Sequence, residues 1–224
     1  SFMVPIFWLI TNVSLQSFNS VNEVFYASFN SFKVAFIGAF IIISFATFII
    51  FTKRVFKINI LSFMINFSKI GYAAPGIVIA IGVISPLIFV DKQINQVFSY
   101  FEKDIGLILS GSITILIFAY LVRFLSVAFN PIESGLEKVS EKIDYSALNL
   151  GANKQTLLFK IHLPMIISSC LIAFLLIFID ILKELPITLI LRPFNYNTLS
   201  VLTYEYASSE QLAQAAFPAL LITI

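Results

Sequence analysis

Few side chains in this sequence could do chemistry, and those that could are clustered. Asp180, Lys183 and Glu184 stand at i, i+3 and i+4 at the end of a long apolar run, a spacing that brings side chains together on one helix face. Charge beside hydrocarbon is costly, so the cluster is either a functional site or a self-neutralising group that fixes helix depth. Asp180 lies about 25 Å along a helix from Leu163 at 1.5 Å per residue, which places the cluster, with Pro186 just beyond it, near one membrane interface. There it would line an outer gate or a cation path. Carboxylate and phenolate oxygens are hard ligands, and Glu184, Tyr196, Tyr204, Glu205 and Tyr206 all fall in this part of the chain. Tyrosine is also expected at any membrane interface.

Other reactive groups are scarce. Cys170 is the single cysteine and sits in an apolar run, where a thiol acts as a small hydrophobe. His162 is the single histidine and reads as a half-exposed loop residue. There is no GxxxxGK[ST] phosphate loop, no nucleophile–base pair, and no metal-ligand spacing of His or Cys. Catalysis and a metal centre are therefore not expected of this chain. A net charge of +2 without a basic patch gives no reason to expect nucleic acid.

The elements that carry these residues are set by composition. Apolar residues make up 59% of the 224 and charged ones 12%, and the mean hydropathy is +0.97, outside the range of a soluble domain. Hydrocarbon takes about 20 residues of helix to cross. Four runs are plain: Val34 to Phe51, Ile70 to Val90, Ile105 to Val122 and Leu163 to Ile179. Two more lie at the ends, Phe2 to about Gln16 and Gln211 to Ile224, giving six expected crossings with the last cut short. The start at Ser1, without a basic n-region or an Ala-x-Ala site, reads as that of a fragment. Continuous apolar runs without strand alternation predict an all-α polytopic bundle. In the run Ile70 to Val90, Gly71, Ala73, Ala74, Gly76, Ala80 and Gly82 predict close backbone packing, and Pro75 and Pro86 predict bends.

Basic residues then give orientation. Lys53, Arg54, Lys57 and Lys69, with Arg123, Lys138, Lys142, Lys154 and Lys160, fall on one side, against Lys33, Lys92, Lys103, Lys183 and Arg192 on the other. The richer side faces the cytoplasm.

The longest non-membrane stretch, Asn130 to Pro164, is on that side. Ile143 to Leu150 reads as a short helix, Gly151 supplies the left-handed residue that ends it, and Lys154 to Ile161 reads as a second short helix leading to Pro164. Asp144, Tyr145, Ala147, Leu148, Leu150, Ala152, Leu157, Leu158 and Phe159 make this elbow half apolar. It cannot bury all those side chains on itself, so it needs a partner groove.

These residues resemble the "EAA" loop of permeases of type I ATP-binding-cassette importers, a pattern of Glu-Ala-Ala, three residues, Gly, nine residues and Ile-x-Leu-Pro. Gly151, Ile161, Leu163 and Pro164 match the second half; of the first half only Ala147 matches, with Tyr145 and Ser146 in place of Glu and Ala. Asp144 or Glu141 is then the candidate for the missing charge. Ser31 to Ala35, Gly71 to Gly82, Tyr120 to Gly135 and Asp180 to Pro193 (DILKELPITLILRP), followed by Thr198-Leu199, are similar to permeases of ferric-iron importers.

The resemblance implies an all-α bundle of the MetI-like type I permease kind. Residues 1–24 would be a first transmembrane helix and external loop, and 25–224 the transmembrane domain, with its coupling loop at 131–164. It implies a multi-pass permease subunit in a bacterial inner membrane, working with a cytoplasmic ATPase dimer, a periplasmic substrate-binding protein and a second permease half, fused in tandem or dimeric. ATP and Mg would sit on the ATPase, and no cofactor on this chain. Ferric iron is the implied substrate. Thiamine, polyamine or sulfate permeases share the loop but are less like the KELP…LRP segment. An ATPase-independent secondary transporter or channel is the alternative from another class, though such a carrier has no need of an apolar cytoplasmic elbow. A non-transporting receptor or scaffold subunit is a third reading, favoured only by the departure at Tyr145-Ser146.

Overall fold

The computed structural model describes residues 3–12, 21–99 and 109–223, and every regular element among them is helical. In order these are α1 (Met3–Asn12), α2 (Val21–Phe56), α3 (Asn59–Ala73), α4 (Gly76–Ser99), α5 (Ile113–Glu137), α6 (Glu141–Asn149), α7 (Lys154–Thr156), a π-helical turn (Leu157–His162), α8 (Leu163–Lys183), α9 (Pro186–Leu191), α10 (Leu199–Ser208) and α11 (Leu212–Thr223). The chain divides into two compact units, one of residues 1–36, 76–119 and 180–224, the other of 37–75 and 120–179.

Among the described residues, four helices are long and apolar enough to cross a membrane: Val21–Phe56, Gly76–Gln96, Ile113–Glu137 and Lys154–Lys183. They match the four plain apolar runs, with shifted ends. The two terminal runs hold the ten-residue α1 and the twelve-residue α11; residues 2 and 13–16 of the first run, 224 of the last and 105–108 of the run from Ile105 lie outside the described residues.

The shifts have local causes. α2 has 36 residues, about 54 Å at 1.5 Å per residue, because no proline interrupts it; Lys33, expected in an outer loop, is part of it. The run from Ile70 is broken, not bent: Ala74 is extended at φ −72°, ψ 141°, the conformation that a following proline favours, and α4 starts afresh at Gly76. Pro86 is inside α4. α5 continues through Arg123 to Glu137 because Phe124, Ala128, Ile132 and Leu136 recur every four residues and are all buried. Arg123, counted above as a loop residue, is thus inside a crossing.

Of the small residues expected to pack closely, Gly76 and Ala80 are buried whereas Ala73 and Gly82 are exposed. A Cβ on Gly71 would lie 2.4 Å from the Val122 carbonyl oxygen, whereas one on Gly82 would meet nothing within 4 Å. Asp91, 1% exposed, accepts hydrogen bonds from the Leu109 and Ser110 amides at 2.9 and 2.8 Å and from Ser110 Oγ at 2.6 Å, fixing the turn that precedes α5.

Candidate functional site

The elbow bends where Gly151, which closes one helix, and Asn153, which caps the next, are separated by the single residue Ala152. Ser140 opens α6, its Oγ accepting from the Lys142 amide. Gly151 closes it at φ +84°, with the Ala152 amide donating to the Ala147 carbonyl and the Gly151 amide to that of Leu148, both at 3.0 Å. This pair of bonds is the Schellman arrangement, which needs a left-handed residue where Gly151 stands. Asn153 follows at once as the next N-cap, its Oδ1 accepting from the Thr156 amide at 2.8 Å. Glycine and asparagine at 151 and 153 therefore turn the chain within three residues.

The second limb differs from the expected short helix. α7, the π-helical turn and α8 run on as one helix, Lys154–Lys183. Pro164 has no amide to donate and its ring crowds the carbonyl four residues back. The turn before it widens accordingly, with the Leu163 amide reaching Leu158 O, five residues back.

Apolar contacts seat the elbow on the end of α2. Phe51, Ala147 and Leu157 are buried together, with Val55, Ala152, Leu158 and Ile161 packed against them. Facing outward are Tyr145, Leu148, Leu150 and Phe159, with Leu150 88% exposed. Leu163 is half-buried and Pro164 exposed.

Asp144 is turned inward. Its side chain is 13% exposed, with Oδ2 2.6 Å from Arg54 Nε and Oδ1 2.7 Å from His162 Nε2. The same guanidinium donates to the carbonyls of Leu136 and Val139, at 2.5 and 2.7 Å. His162 is 1% exposed rather than half-exposed, and its ring meets Phe51 edge to face at 5.5 Å between centroids. Composition alone marked Arg54 only as an orientation charge; nothing in its flanking residues points to a partner ninety positions away. Glu141 stays in solvent, its carboxylate 3.7 Å from Lys57 Nζ. Lys57 also donates to Tyr145 Oη at 3.4 Å, and this bond, then the Glu141 charge, pushes the lysine pKa up.

A cavity of about 470 Å³ opens beside the anchor, lined by Lys53, Arg54, Lys57, Glu133, Glu137 and Glu141 among others. Its charges are largely paired: Lys53 Nζ is 2.6 Å from Glu133 Oε1.

At the far end of α8 the acidic cluster separates by exposure. Lys183 is exposed, Asp180 half-buried and Glu184 buried. Glu184 Oε1 accepts from the Ile187 amide at 3.3 Å, and its carbonyl accepts from Thr188 Oγ1 at 2.7 Å. It thus caps α9, where Pro186 takes the first position at no hydrogen-bond cost. Most of the oxygens weighed as hard ligands have protein partners, while Tyr204 is exposed. Glu205 accepts from Arg192 at 2.6 Å and from Asn197 at 3.2 Å. Tyr196 donates to the Asn30 carbonyl at 3.1 Å and Tyr206 to Glu23 at 2.7 Å. No group of three or more His, Cys, Asp or Glu that could hold a metal ion occurs among the described residues. Ser31 and Leu199, from two of the segments singled out in the sequence, meet here, the Leu199 amide donating to Ser31 Oγ at 2.7 Å.

No family model matches the chain. It is similar to the Fe(3+)-transport system permease protein FbpB 2 of Haemophilus influenzae, at 27% identity over 219 residues, which cover 98% of this chain and 40% of that protein. The chain thus spans about two fifths of the length of the curated relative it matches.

Proposed function

We propose that this multi-pass helical membrane protein is the permease part of an ATP-driven importer of ferric iron. Its similarity is to a ferric-iron permease, and its four long apolar helices suit that role. In this reading the chain is non-catalytic. The membrane is the bacterial inner one, a cytoplasmic ATPase dimer hydrolyses ATP, a periplasmic protein delivers the substrate, and a second bundle completes the path.

The observation that carries the proposal is the elbow of residues 141–164. It presents Tyr145, Leu148, Leu150 and Phe159 outward while Ala147 and Leu157 hold it to α2. Exposed apolar side chains on a well-capped elbow have the form of a surface built to be covered by another protein. ATP-driven closure of the ATPase would push the elbow, and its continuity with α8 would carry the displacement into a crossing. At the opposite end of α8, Asp180, Lys183, Glu184 and Pro186 would border the outer gate, with Glu184 holding α9 in place.

Purification of the full chain in mild detergent tests this directly. A soluble ATPase should copurify, and replacing Leu148 and Leu150 together by Asp should remove it. Retention of the ATPase by that variant would rule out the elbow as the docking surface.

A further inference from the structure

The elbow has two attachments to the rest of its unit, and only one is apolar. Arg54, near the end of α2, donates to three acceptors at once: the carboxylate of Asp144 on α6 and the carbonyls of Leu136 and Val139, at the end of α5 and just beyond it. Asp144 in turn meets His162 on the π-helical turn that begins the long crossing. Side-chain exposures of 12, 13 and 1% for Arg54, Asp144 and His162 keep water and salt from weakening these bonds. Among the described residues no group bonds to the buried Nδ1 of His162, so the tautomer that suits the site carries its proton on Nε2 and donates to Asp144.

The planar fork of a guanidinium has the shape this arrangement needs. It holds several acceptors in fixed directions, which an ammonium on a flexible stem does not. The acceptors here come from the end of α5, the turn after it and the elbow, and the donor comes from α2. Through His162 the same carboxylate reaches the start of α8.

Building on the permease reading above, we infer that Arg54 and Asp144 are positioning residues for energy coupling. They form a latch that makes the elbow move as one body with the ends of α2, α5 and α8. Asp144 is then not a docking contact, although it precedes the position where the loop pattern has Glu. Docking belongs to the outward face of the elbow. The latch decides how much of the elbow's displacement reaches the helices.

The distinction is measurable in the reconstituted complex of chain, companion bundle, ATPase and binding protein. Two quantities are read: ATPase recovered per chain, and iron taken up per ATP hydrolysed. Asp144→Asn is nearly isosteric and leaves Arg54 its two carbonyls. Arg54→Met strands a buried carboxylate, and the double variant removes both charges. The latch predicts ATPase recovery within about twofold of the unaltered chain for all three. Uptake per ATP should fall roughly tenfold for Arg54→Met, within the range of known site-to-site couplings, and less for Asp144→Asn. The double variant should do no worse than Arg54→Met, because removing a stranded charge offsets part of the loss. Arg54→Lys should be intermediate.

Loss of ATPase recovery in step with uptake in Asp144→Asn would overturn the inference, making Asp144 a docking contact. Multiplication of the two single losses in the double variant would also overturn it. An unaltered chain that recovers no ATPase would instead sink the permease reading, and this inference with it.

Discussion

Arg54 Nε and Asp144 Oδ2 lie 2.6 Å apart across 90 residues of sequence, and the contact joins the last turn of one crossing to the first turn and a half of the elbow helix. Apolar packing of Ala147 and Leu157 on Phe51 gives the elbow its seat. The ion pair gives it an orientation.

The bend should depend on glycine more than the elbow's face depends on any one aromatic. Gly151 is at φ +84° with nothing within 4 Å of where a Cβ would sit, so Gly151→Ala costs backbone strain alone, about 1–2 kcal/mol. Uptake should fall more for Gly151→Val than for Tyr145→Phe, with Gly151→Asn the mildest change at that position. A larger loss for Tyr145→Phe, measured in the same uptake assay, would mean that the first half of the loop holds the ATPase.

Two glycines of one sequence segment should respond in opposite ways. Gly71→Ala places a methyl 2.4 Å from a backbone carbonyl, which forces α3 and α5 apart and should destabilise by about 1–3 kcal/mol. Gly82→Ala meets open space and should be neutral or mildly stabilising. Thermal melts of the detergent-solubilised variants check both; equal melting temperatures would refute the close approach.

Glu184 combines burial with a structural bond, so its charge and its oxygen can be separated. Glu184→Gln keeps an acceptor for the Ile187 amide and should fold normally, whereas Glu184→Ala should loosen α9. The double variant Asp180→Ala, Glu184→Ala should abolish uptake while the ATPase still copurifies. Normal iron uptake by that double variant would remove both carboxylates from the path.

Tyr196 should respond to alkaline pH. Burial pushes its phenol up from the ordinary value, so the folded state favours the neutral hydroxyl that donates to Asn30. Stability from this group is complete below about pH 10 and is lost as pH rises through the raised folded value. Tyr196→Phe should cost about 1 kcal/mol near neutrality and flatten the alkaline loss. A variant melting curve parallel to the parent's at every pH would contradict this.

What the sequence revealed and concealed follows from the range of the forces involved. Apolar runs are local, so the four long crossings are legible, as are the turn at Gly151 and the short helix before it; the helix after it runs on to Lys183. The ends of the crossings are not. α5 runs past Arg123 because buried residues recur every four positions beyond it, and charge counting gave that arginine to a loop. The break before Pro75 and the widened turn before Pro164 both come from proline, whose ring crowds the chain before it and which has no amide to donate. Sequence marks where such a defect falls but not whether the helix bends, stops or widens there. His162 and Arg54 were legible only as isolated polar residues, since their roles depend on Asp144 arriving from distant sequence.

ATP dependence of transport tests the account most directly. Vesicles reconstituted with the chain, its companion bundle, the ATPase and the iron-loaded binding protein would be assayed for accumulation of radiolabelled ferric iron, with active or catalytically dead ATPase. Accumulation should occur with ATP and the active enzyme and fall to the level of empty vesicles with the dead one. Accumulation that persists with the dead ATPase would contradict an ATP-driven permease.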